Sequence, residues 1–228
     1  FPRPRGTIKK PMPSPNATTA VLLLAHGTPN FLGEMAAYLA QVTGGRALPP
    51  EVVAELQHRY AQIGLRDEPG PAPPPLTRWT LTQAHLLDQA LAATGTPLRV
   101  YAAMRNWHPF IADVVNEIRA DGITHLIAIC LAPQNSRTSI GLYRRALTTA
   151  LESPAAEESA PTAPPIQLTF LESWSEEPAL IEAFAQRLEA ACPGAAAESR
   201  TPVPILFTAH SVPCRTIMTG EASTAGAR

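Results

Sequence analysis

Two histidines in this chain sit in nearly the same setting. Ala25-His26-Gly27-Thr28-Pro29 follows the apolar run Val21–Leu24, and Ala209-His210-Ser211-Val212-Pro213 follows Pro204–Thr208. In an open α/β sheet the residues just past the carboxyl end of a strand line the crevice where ligands bind, so both imidazoles are expected in a cleft. A neutral imidazole is a ligand for ferrous iron and a base that titrates near neutrality, so the pattern points to metal or proton chemistry. Each histidine also has a plainer reading. His210 can be a satisfied core or cap residue, and His26 can simply pack in the tight strand-to-helix turn that Gly27 and Thr28 favour.

Other side chains suit a flat, anionic ligand. Arg46 closes a Gly-Gly turn, Arg59 and Tyr60 lie near the end of a helical stretch, and Arg105 and Arg137 follow the second and third strand-like runs. A guanidinium fork is planar and always charged, which suits carboxylates, and the strand-end rule aims Arg105 and Arg137 at one crevice. Solvated surface arginines are the plainer reading. Tyr143 lies one turn into a helix, where tyrosine is ordinarily core; Trp79, Trp107 and Trp174 can stack on a ring, but core packing suits each of them better.

The elements that must position these groups alternate. Strand-like runs at Val21–Ala25, Leu98–Met104, Leu126–Leu131, Ile166–Leu171 and Pro204–Thr208 are separated by helical patterns, which predicts a parallel, doubly wound α/β sheet. The spacing predicts helices over Pro109–Ala120, with Phe110, Ile111, Val114, Val115 and Ile118 on one face, and over Pro178–Ala191, with Leu180, Ile181, Phe184, Ala185 and Leu188. Residues 32–93 form a helical insertion, with helices around Gly33–Val42, Pro50–Ile63 and Leu76–Ala93 and a Pro-rich loop over Gly64–Pro75. The paired histidine units, and a Trp before each predicted helix, suggest two related halves.

Composition excludes several classes. The chain has 228 residues, 45% of them hydrophobic, and a net charge of −1, so it can bury a core and has no basic footprint for nucleic acid. Its apolar runs are far shorter than the roughly 20 residues of a membrane span, and Phe1–Thr19 lacks the apolar centre of a secretory signal. Cys130, Cys192 and Cys214 are odd in number and show no C-x-x-C spacing, which fits a reducing, cytoplasmic setting. The chain does not begin with Met; Met12 as the start and a flexible native tail are both open. The G-x-S-x-G, Walker, H-E-x-x-H and G-x-G-x-x-G patterns are missing, so hydrolase, nucleotide-binding and zincin chemistry lose their usual support.

Taken together, six segments resemble the ferrochelatase family in order and spacing from about Val21 to Pro213. They are Leu24-Ala25-His26-Gly27-Thr28-Pro29, His58–Gly64, Leu76–Thr80, Met104-Arg105-Asn106-Trp107-His108-Pro109, Leu131–Gln134 and Thr208–Pro213. The resemblance implies two similar Rossmann-like domains with a porphyrin between them, and insertion of ferrous iron into that ring during heme biosynthesis. It places a tail over 1–20, a first domain over 21–131 and the start of a second, incomplete domain over 132–228. It implies that His210 binds the metal and takes pyrrole protons, and that His26 faces the porphyrin, where it can sit axial to the metal. It also makes Arg59, Tyr60 and Tyr143 porphyrin contacts, with Arg105 and Asn106 a basic-polar pair beside the pocket. Iron is substrate here, and no tightly bound cofactor is implied.

The chain departs from the family pattern in three places. A Gly-Gly-x-Ser-Pro-Leu segment is replaced by the longer Gly64–Leu76 loop, an arginine expected shortly before Gly45 is lost near Thr43, and no residue takes the role of the family's carboxyl-terminal glutamate. A histidine and a carboxylate on opposite faces of the ring divide the ligand and base tasks, so this chain alone is expected to be inactive or weak. The rival readings are a chelatase that inserts cobalt or nickel into another tetrapyrrole, and a non-catalytic tetrapyrrole-binding module.

Overall fold

The computed structural model describes residues 19–96, 98–153, 165–198 and 204–208. Four strands, β1 (Thr19–Ala25), β2 (Arg99–Met104), β3 (His125–Cys130) and β4 (Gln167–Leu171), form one sheet in the order β2-β1-β3-β4. β1 runs parallel to both neighbours, with Leu22 level with Tyr101 on one side and Ala128 on the other. Burial follows position in the sheet. Central β1 is buried on both faces from Ala20 to Ala25, whereas in edge strand β4 exposed and half-buried residues alternate. An uninterrupted apolar run is what a strand covered on both faces requires.

The helices are α1 (Met35–Val42), preceded by a 3-10 turn at Leu32–Glu34, α2 (Pro50–Gln62), α3 (Pro75–Ala93), α4 (Ile111–Ala120), α5 (Ile140–Glu152) and α6 (Pro178–Glu198). Prolines open α2, α3 and α6 at the position where a missing N–H costs nothing. Of the helices between Leu32 and Ala93, α3 is the crossover from β1 to β2 and lays Ala84, Leu87 and Leu91 on Val21 and Leu23. The 3-10 turn, α1 and α2 contribute to a separate apolar cluster around Met35, Tyr38, Leu39 and Trp107. α4 buries Ile111, Val114, Val115 and Ile118, four of the five residues its periodicity picks out.

Three expectations need correction. α4 begins at Ile111 and not at Pro109, because the Pro109 carbonyl accepts from Met104 N at 2.8 Å and Phe110 stays extended in a bridge to Met104. The apolar stripe of α6 is open to solvent, with Ile181 58% and Phe184 68% exposed; an amphipathic helix is buried only where a second layer meets it, and none of the described residues covers this face. Pro204–Thr208 forms no strand: Leu206 and Phe207 are each 86% exposed, and a run of β-type residues becomes a strand only beside a hydrogen-bonded neighbour.

The described residues fall into two compact units, one through Leu131 and again over Ala146–Phe170, the other over Ala132–Arg145 and onward from Leu171. Burial at the end of β3 pushes the Cys130 thiol up to about 12. None of the helices among the described residues is long and apolar enough to cross a membrane.

Candidate functional site

In the order β2-β1-β3-β4 the chain leaves β1 toward β2 on one side and leaves β3 toward β4 on the other, so the switch point lies between β1 and β3, and its crevice opens at the carboxyl ends of the strands. His26 is the first residue beyond the carboxyl end of β1. The parallel ladder continues one step past the strands, with Arg105 N donating to Ala25 O and Asn106 N to His26 O, both at 3.0 Å. That extension sets Asn106 beside His26 across 80 residues of chain, with Asn106 Nδ2 3.0 Å from His26 Nε2.

The crossing is tight because of Gly27. Its φ of +89° suits glycine, and a Cβ there would lie 2.8 Å from the Trp107 backbone nitrogen. On its other side His26 Nδ1 lies 3.2 Å from both the Gly27 carbonyl and the Tyr38 hydroxyl. Tyr38 is 3% exposed, meets Trp107 and Tyr60 edge to face, and donates to Gly27 O at 3.3 Å. Glu34 secures the surrounding loops: its Oε2 accepts from Asn30 N, Asn30 Nδ2 and Trp107 Nε1.

Part of the His26 ring is open to solvent, yet desolvation of the remainder lowers its pKa below the ordinary histidine value. The bond to the Gly27 carbonyl opposes this shift, and the Arg105 cation adds to it. The sign for stability follows. With the folded pKa below the unfolded value of about 6.5, the unfolded chain binds more protons as pH falls through that range, so His26 costs stability on acidification. Urea midpoints measured on either side of pH 6.5 should converge in His26→Gln relative to the parent; an undiminished acid loss in the variant would remove His26 as its source.

The structure thus brings His26, Arg105 and Asn106 together, with Tyr60 contributing to the cluster behind them. Arg59 is not held there: its Nε donates to Glu55 at 2.8 Å along the exposed face of α2, the commoner fate of a surface arginine. Tyr143 is buried, in the second unit. His210 lies outside the described residues. Trp107 is core, but Trp79 is 54% exposed with Arg78 over its ring, because it falls beside the buried face of α3 marked by Thr77, Thr80 and Ala84. Sequence reasoning missed Tyr38 and Glu34. Tyr38 shows only as a buried position of α1 and Glu34 as a half-buried acid in the preceding turn, and nothing local says that a buried hydroxyl meets His26.

Comparison with known proteins gives this arrangement a family. The ferrochelatase family model matches residues 18–223. The chain belongs to the ferrochelatase family. It is 50% identical to the ferrochelatase of Acidobacterium capsulatum over 198 residues, covering 87% of this chain and 54% of that relative. It is 38% identical to the ferrochelatase of Herpetosiphon aurantiacus over 207 residues, covering 90% and 63%. It is 29% identical to the coproporphyrin III ferrochelatase of Bacillus subtilis over 195 residues, covering 85% and 58%. The chain therefore spans between about half and two-thirds of the length of these ferrochelatases. The α/β fold with a parallel sheet is consistent with a chelatase-type Rossmann-like domain.

Proposed function

We propose that this chain binds a porphyrin and takes part in inserting ferrous iron into it, in heme biosynthesis. The observation that carries the reading is the family match from residue 18 to 223, a span that includes both histidine units. Names of relatives such as the Bacillus subtilis protein make coproporphyrin III a substrate to test beside protoporphyrin IX. In this reading His210 is the metal ligand and proton acceptor. His26, Arg105 and Asn106 form one wall of the ring's pocket, and Arg59, Tyr60 and Tyr143 contact the porphyrin.

The reaction exchanges one Fe(II) for two pyrrole protons, so no oxidant or reductant enters and no resident cofactor is called for. Its difficulties are stripping water from the cation, removing the protons and holding the planar ring still. Arginines placed near the ring would fix its carboxylates, and the aromatic wall would hold a face, which supplies orientation more than bond-making. A reducing cytoplasm, the setting proposed here, keeps the iron ferrous.

The test is an anaerobic assay of Fe(II) insertion into each porphyrin, followed by the Soret and Q-band change. It is run on this chain and on a protein of the relatives' full length that carries it. Ring binding by both and insertion by the longer protein is the expected result. Tight binding with no insertion by the longer protein would reverse the reading in favour of a carrier, and preference for cobalt or nickel with another tetrapyrrole would make it a different chelatase.

A further inference from the structure

Both nitrogens of the exposed histidine at the crevice are already in use. On one side His26 Nδ1 lies 3.2 Å from the Gly27 carbonyl and 3.2 Å from the Tyr38 hydroxyl, which itself donates to the same carbonyl. A carbonyl oxygen only accepts, so the proton belongs on Nδ1. The opposite nitrogen, Nε2, then carries a lone pair and needs a donor, and the amide of Asn106 stands 3.0 Å away with Nδ2 toward it. Turning that amide over would set Oδ1 against the lone pair, so the Gly27 carbonyl also fixes which way Asn106 faces. Asn106 is in turn held by its own backbone bond to His26 O and is 1% exposed.

We infer that Asn106 and Tyr38 are positioning residues that lock His26 as the neutral Nδ1–H tautomer with its Nε2 lone pair occupied, so that His26 meets a ligand through ring carbon and not as a metal ligand or proton acceptor. With both nitrogens committed, what the imidazole offers the crevice is a C–H edge and its π faces, the surface that suits a flat aromatic ligand. Desolvation, aided by the Arg105 cation, lowers the pKa of His26 and so favours the same neutral ring. The inference refines the role of one residue and rests on the proposed porphyrin reading only for the identity of the ligand. It separates the two strand-end histidines by chemistry: of the pair, His210 is the one left for metal and proton work.

The experiment is a long-range ¹H–¹⁵N correlation spectrum of the histidine-labelled protein near neutral pH, with the His26 ring assigned by its disappearance in His26→Gln. The expected pattern is a protonated Nδ1 and a bare Nε2, the reverse of the form that free histidine prefers in water. An Nε2–H pattern, or the averaged signals of a freely exchanging ring, would overturn the inference, and this arm needs no variant that perturbs the site. In Asn106→Asp the partner can only accept, so Nε2 is expected to move to the protonated range; an Nε2 signal that stays bare would also count against the lock. Porphyrin titration of the same samples keeps the two questions apart. A locked tautomer without ring binding defeats the porphyrin reading alone, and ring binding with the wrong tautomer defeats this inference alone.

Discussion

Gly27→Ala is expected to destabilise the first unit by roughly 2–6 kcal/mol, the sum of forcing a side chain into a positive-φ conformation and of overpacking a closed contact. The φ of +89° accounts for the first part. The second arises because the new Cβ would sit 2.8 Å from Trp107 N and 3.2 Å from Met104 Cβ, and a backbone nitrogen cannot swing aside as a side-chain tip can. Gly44 supplies the control. Its φ is +71° but nothing lies within 4 Å of a Cβ there, so Gly44→Ala should cost only the conformational part, about 1–2 kcal/mol. Chemical denaturation of the two variants reads the difference directly, and equal losses would show that the approach of Trp107 to Gly27 is not tight in solution. Because the same crossing carries the bond between Asn106 N and His26 O, Gly27→Ala should also disturb the His26 ring signals even where the protein remains folded.

The largest expected effect on activity is at His210. In a protein of the relatives' length that carries this sequence, His210→Ala should lower the rate of iron insertion by about 10²–10⁴-fold, the range lost when a positioned acid–base group is removed, while ring affinity changes far less. The split arises because, in the proposed role, His210 takes pyrrole protons and receives the metal only after the ring is seated. His26→Ala should show the opposite balance, losing affinity more than turnover, since His26 is assigned a contact without a free lone pair. Steady-state rates measured beside porphyrin fluorescence titrations separate the two. Full turnover in His210→Ala would take the metal and proton chemistry away from this residue.

Much of this was legible along the chain for a definite reason. An apolar run such as Val21–Ala25 states that both of its faces will be covered, and a stripe such as Ile111, Val114, Val115 and Ile118 states which face of a helix turns inward. Prolines at positions 50, 75 and 178 mark where helices begin. These are local signals, fixed by backbone geometry and side-chain period, and they sufficed for the α/β class and for placing His26 at a strand end. They failed where a local signal needs a distant partner. The stripe on α6 and the run Pro204–Thr208 read as buried elements, and both stand open to solvent among the described residues. The pairing of Arg59 with Glu55, one turn away on the exposed face of α2, is by contrast a local contact.

By itself, then, the sequence determined the alternation of elements, the buried faces, the Gly27 turn and the two histidine units, because each depends on residues within one or two turns of one another. Only the tertiary structure decided the strand order. Placing β2 next to β1 carries the ladder past both strand ends and sets Asn106 against a histidine 80 residues earlier, while α1 brings the Tyr38 hydroxyl to the other side of the same ring. The paired units look alike as sequence. What makes His26 a neutral ring with both nitrogens held is its long-range neighbours, which are chosen by the packing of the whole sheet and leave no trace in the spacing of residues around it.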